Sequence, residues 1–130
     1  MTEKIIHQQV CDYLNLQYPN VIYTSDASGM RVSIGLRMEL KRKRCKRFVI
    51  PDLIILHPSN GWHGLILEIK KDGEKLIKKD GEFKKGHISE QADTIGELTG
   101  LGYCAMFGIG FSDCKKIIDG YFKTTTPKHF

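Results

Sequence analysis

Residues 50–70 read IPDLIILHPSNGWHGLILEIK, and this stretch decides the fold. Phe48 to Leu56 is rich in β-branched and aliphatic residues, His57-Pro58-Ser59-Asn60-Gly61 is turn chemistry, and Leu65 to Lys70 is aliphatic again. The expectation is a β-hairpin. With the turn centred on Asn60, Asp52 and Glu68 lie equally far from it and face one another across the pair. Directly opposed β-carbons stand ~4.5–5.5 Å apart, where like charges repel. Lys70 follows Glu68 by two residues and shares its face.

Two acids and a lysine thus converge among Ile50, Leu53, Ile54, Ile55, Leu56, Leu65, Ile66, Leu67 and Ile69. Burying such charges unpaired costs several kcal/mol. A salt-bridged trio would still leave net negative charge, whereas a hard divalent cation resolves the conflict. Oxygens of Asp52, Glu68 and the Ile69 backbone carbonyl suit Mg²⁺ or Mn²⁺, with retained waters completing the shell. One such water is a candidate nucleophile, and Lys70 can orient it or offset charge developing on a phosphoryl oxygen. Pro51 cannot donate to the ladder and would open the strand where Asp52 turns toward a ligand.

Outward from the hairpin, Ile6, Val10, Tyr13 and Leu14 recur at helical spacing between Thr2, a candidate N-cap, and Gln17. Glu3 lies on that stripe and is expected to point inward, either as a third carboxylate or as an acid that favours its helix N-terminus. Val21–Thr24 reads as a short strand and 25–29 as a polar loop. Ser33 can cap a helix reaching about Arg44. The stretch 71–85 is lysine-rich and reads as a mobile loop or a solvent-side hairpin extension. Ser89, with Ile88 as staple, is the expected start of a helix to about Thr99, stopped by Gly100 and Gly102; Gln91 falls on its apolar stripe. Tyr103–Gly108 is expected to be a buried strand and Ser112–Phe122 a final helix with Ile117, Ile118, Tyr121 and Phe122 on its apolar face. The order predicts an α/β mixed sheet flanked by helices, in one domain over 1–123 with a loose tail at 124–130.

The charge distribution points to a phosphate-bearing partner. The chain carries a formal +5, and between Arg37 and Arg47 seven basic residues (Arg37, Lys41, Arg42, Lys43, Arg44, Lys46, Arg47) meet one acid, Glu39. Concentrated Lys and Arg gain affinity for DNA by releasing condensed counterions. Cys11, Cys45, Cys104 and Cys114 lie far apart, and His7, His57, His63, His87 and His129 also lack zinc-site spacing. Reduced thiols in a cytoplasmic protein are expected, and no apolar window is long enough to span a bilayer.

The residues Ile50-Pro51-Asp52-Leu53, Leu67-Glu68-Ile69-Lys70 and Glu90-Gln91 resemble the PD-(D/E)XK nuclease superfamily and, within it, the virus-type replication-repair nuclease domain, VRR-NUC. The resemblance covers nearly the whole chain, from the glutamate-bearing first helix to Gly102-Tyr103 before the closing strand. It implies a restriction-endonuclease-like αβββαβ core, with Asp52 and Glu68 as metal ligands, Lys70 serving the attacking water, and Gln91 and Glu3 completing the site. Free-standing members from phages and bacteria are similar to Holliday-junction resolvases, which implies a homodimer cutting branched DNA in a structure-selective way. The competing expectation from another class is a nucleic-acid-binding module of this fold without turnover.

Overall fold

The computed structural model describes residues 1–26, 32–47 and 49–123. In chain order its elements are α1 (Glu3–Gln17), β1 (Tyr23–Ser25), α2 (Ile34–Arg42), β2 (Leu53–Ile55), β3 (Leu65–Lys70), α3 (His87–Gly100), β4 (Cys104–Ile109) and α4 (Phe111–Phe122). The sheet runs β1-β2-β3-β4, antiparallel except for the parallel β3–β4 pair. It is the expected mixed sheet flanked by helices.

The central hairpin is made by its turn. Asn60 and Gly61 take φ of 52° and 86°, the two left-handed conformations that a type I′ turn requires. Ser59 and Trp62 exchange backbone hydrogen bonds across it at 3.2 and 2.9 Å. The ladder then pairs Leu53 with Leu67, Ile54 with Ile66 and Ile55 with Leu65, the register expected from the sequence. The strand is shorter than the 48–56 expected. Its ladder ends at Leu53 because Pro51 has no N–H to continue it, and Phe48 lies outside the described residues.

Alternation along β3 assigns the two faces. Leu65, Leu67 and Ile69, with Leu53 and Ile55, pack on Ile6, Val10 and Leu14 of α1 and on Cys114, Ile118 and Tyr121 of α4. Ile66, Glu68 and Lys70 therefore point to the other face, and they too are buried. That face is covered by α3, which lies against β4, and by the 71–86 strap, whose Phe83 ring sits 5.9 Å from Phe107 of β4.

Other boundaries depart from expectation for local reasons. β1 begins at Tyr23 and reaches Ser25, so only its last residue belongs to the polar loop expected from 25 to 29; residues 27–29 lie outside the description, as does the tail at 124–130. Ser33 caps α2 by accepting from the Leu36 N–H at 3.1 Å, but the helix stops at Arg42. α3 starts two residues before Ser89, with Gly86 at its cap and no side-chain capping bond. β4 is an edge strand, and Met106 on it is 42% exposed, so it is not wholly buried. Thr2 caps α1 as expected, accepting from the Ile5 N–H. Among the described residues no helix is long and apolar enough to cross a membrane.

Candidate active site

The end of the β2–β3 hairpin holds an unusual knot of hydrogen bonds. The Asp52 N–H donates to Glu68 Oε1 at 3.2 Å, and the Ile69 N–H donates to Asp52 Oδ2 at 2.7 Å. Asp52 is anchored from the other side, where the Asp26 N–H donates to its carbonyl at 2.9 Å. Pro51 explains this arrangement. The Lys70 carbonyl accepts from Gly110 beyond β4, so even-numbered β3 residues bond toward β4, while Ile69 turns its peptide edge to β2. Its N–H finds the Asp52 carboxylate, and the residue across from its carbonyl is a proline that cannot donate.

Glu68 is 1% exposed, and its Oε2 has no hydrogen-bond partner among the described residues. Burial, reinforced by the nearby Asp52 charge, pushes its carboxyl up to about 8; the Asp52 N–H and Lys70 only partly offset this. Lys70 is 4% exposed and makes no ion pair among the described residues. The site is thus short of positive charge at one buried oxygen.

The remaining candidates are placed unequally. Gln91 is buried on α3, and its Oε1 also has no partner among the described residues. Glu3 does not point inward: it stands exposed at the first turn of α1. A helix-stripe position in the first turn overhangs the strand ends instead of facing the core. Partial desolvation still raises its carboxyl, against the pull of Lys70 and with Glu74 and Asp52 adding to the rise. Glu74 lies close enough to add to that rise and was not foreseen. It sits in the strap, a hairpin extension closed by Lys84 N–H to Leu76 carbonyl at 2.9 Å and Lys78 N–H to Glu82 carbonyl at 2.7 Å, with Leu76 buried as its anchor. Proximity to Lys70 in the chain is the only sequence clue to it.

Two carboxylates, one carbonyl with no strand donor and an orphaned buried oxygen fit a hard divalent cation. Among the described residues no three His, Cys, Asp or Glu side chains form a ready-made metal cage. The basic run divides into two parts. Arg37, Lys41 and Arg42 are exposed along α2, while Lys43 pairs with Glu39, Arg44 with Asp26, and Arg47 with Glu97. Lys46 and Arg47 line a cleft of about 420 Å³ opposite Glu90, Asp93 and Glu97 of α3.

The sequence matches no protein-family model and no curated protein. Among solved structures, one described as a VRR_NUC domain protein superposes with a TM-score of 0.63 at 24% sequence identity, over 93% of this chain and 88% of that one. The two chains share a fold, the restriction-endonuclease-like mixed sheet flanked by helices.

Proposed function

We propose that the chain is a VRR-NUC-type nuclease, one domain over 1–123, that hydrolyses DNA phosphodiester bonds with Mg²⁺ or Mn²⁺. The observation that supports this most is Glu68: a carboxylate buried in aliphatic strands beside Asp52, with one oxygen unpartnered among the described residues. A bound cation would compensate that oxygen once Glu68 is ionised. The shared fold with a VRR_NUC domain protein supports the same reading.

In this reading Asp52, Glu68 and the Ile69 carbonyl hold the ion. When bound, it supplies Lewis acidity toward the scissile phosphate and toward water. Asp52 is fixed by the Ile69 and Asp26 amides, so its carboxylate needs no reorganisation on binding. Lys70, on the same face as Glu68, orients the attacking water or offsets charge on the phosphoryl oxygens. Gln91 and Glu3 border the site, one from the buried side and one from the rim. Arg37, Lys41, Arg42 and Lys46 offer the phosphate contacts. Branched DNA as substrate and a two-fold dimer, which would set two such sites for symmetric cuts, are the finer parts of the proposal.

Asp52→Ala and Glu68→Ala should abolish Mg²⁺-dependent cleavage on a panel of plasmid, flap and four-way-junction DNA while keeping DNA binding measured by fluorescence anisotropy. Cleavage by Asp52→Ala equal to wild type would overturn the reading. DNA binding by wild type with no cleavage of any substrate in either metal would favour the binding module instead.

A further inference from the structure

Away from the hairpin knot, α1 and β1 bring together three reactive side chains. His7 and Cys11 lie one turn apart on α1, and Ser25 at the end of β1 bridges them. His7 Nε2 is 3.0 Å from Ser25 Oγ, and Cys11 Sγ is 3.5 Å from the same oxygen. His7 and Cys11 are half-buried and Ser25 is exposed, so the cluster opens to solvent. Tyr23 closes the inner side, its hydroxyl donating to Asn15 Oδ1 at 2.8 Å and to the Cys11 carbonyl at 3.4 Å. None of these groups has a part in the proposed DNA cleavage.

We propose that Cys11 is a modification site, a thiol activated by His7 and Ser25 to react with soft electrophiles, hydroperoxides being the biological class. The geometry supplies a base one helical turn away and a hydroxyl that can donate to a thiolate. The charges agree. Burial opposes ionisation of Cys11, but the neighbouring His7 imidazole and the Ser25 hydroxyl outweigh it and hold the thiol below its ordinary range. His7 is raised mainly by the Cys11 thiol one helical turn away, against burial and with Asp52 and Asp26 adding to the rise. The other half-buried and buried thiols go the opposite way: burial raises Cys104, and burial with the Asp113 and Asp52 charges pushes Cys114 up to about 12. With a hydroperoxide, the Cys11 sulfur forms an S–O bond as the O–O bond breaks. The sulfur is oxidised to a sulfenic acid, the peroxide is reduced, and the departing oxygen takes the His7 proton.

The inference is independent of the nuclease reading. Its test uses the whole chain and iodoacetamide, with each cysteine followed by peptide mass spectrometry between pH 6 and 8.5. The sulfur displaces iodide while the proton stays on His7, so the rate reports the thiolate. Cys11 should be alkylated at pH 6.5 at least about tenfold faster than Cys104, and His7→Gln should lower that rate on the order of tenfold without changing the rate at exposed Cys45. A weaker thiolate nucleophile softens this gain but does not cancel it below the thiol's ordinary range. Cys114 serves as the folding control. If His7→Gln exposes Cys114 to the reagent, Ser25→Ala takes its place and should slow Cys11 several-fold. Hydrogen peroxide with dimedone should then place the sulfenic adduct on Cys11 in wild type and remove it in the variant. A Cys11 rate no faster than that of Cys104, or one indifferent to loss of the histidine or serine, overturns the proposal.

Discussion

Replacing Glu68 by glutamine tests the physical premise of the site without measuring cleavage. Glu68 has a raised carboxyl, about 8 against an ordinary 4.5. For an acid raised in the folded state, stability is fully present below 4.5, where the group carries its proton folded or unfolded, and is lost as pH climbs toward 8. At about 1.4 kcal/mol per tenfold in ionisation, the loss is on the order of 4 to 5 kcal/mol before relaxation, and about 2 to 4 once local water and side-chain adjustment are allowed for. Gln keeps an oxygen to accept the Asp52 N–H and carries no charge. Glu68→Gln should therefore match wild type near pH 4.5 and melt roughly 5–15 °C higher at pH 8.5 without divalent metal. Adding Mg²⁺ should raise wild type and not the variant, by about 2.7 kcal/mol at a hundredfold excess over Kd. The assay is thermal unfolding across pH 4.5–9 with EDTA or Mg²⁺. Superimposable curves for the two proteins in EDTA would show that no charge is stranded there, and the argument for a cation would lose its basis.

Removing Lys41, Arg42 and Lys46 together should weaken binding to all DNA sequences and reduce the slope of log affinity against log salt by ~0.9 for each phosphate no longer neutralised, read by anisotropy titration. Arg44 should behave differently, because its partner Asp26 is largely buried: Arg44→Ala is expected to lower unfolding stability by about 1 kcal/mol or more in urea melts. Gly108→Ala puts a methyl against the Cys114 sulfur and should cost about 1–3 kcal/mol in the same melts. Asp119→Ala strips the acceptor from Tyr13 and Tyr18, which donate at 2.6 and 2.7 Å. Burial works against ionised Asp119, but those bonds and Lys115 hold it below its ordinary 3.8, so the stability it adds is present above that value and lost as pH falls through the lower folded one. The variant's acid-unfolding limb should be correspondingly flatter.

The hairpin was legible because its cues are local: an Asn-Gly turn fixes both strand directions and register, and one-residue errors would have turned aliphatic side chains to the wrong face. Gln91 was legible for the same reason, a polar residue on a strong helical stripe. The exposure of Glu3 was not legible, because periodicity gives a face but not how deeply a first turn is covered. The basic run was read as one patch, since sequence counts charges but does not show that Arg44 and Arg47 are occupied by Asp26 and Glu97, eighteen and fifty positions away. Glu74 and the Cys11–Ser25 contact depend on segments that fold back from a distance, and no local pattern announces them. Ser89 failed as a cap because Gly86, at φ 86°, let the helix begin earlier.

The strap between β3 and α3 bears on how freely this fold can change length. Its ends are already fixed by the parallel docking of β4 on β3, so the chain between them closes a loop whose entropy grows only logarithmically. Each doubling of free length there costs about 0.6 kcal/mol, and the strap offsets part of that by burying Leu76 and setting Phe83 near Phe107. The strap's length and charge can thus change with little penalty to the sheet while the hairpin stays fixed.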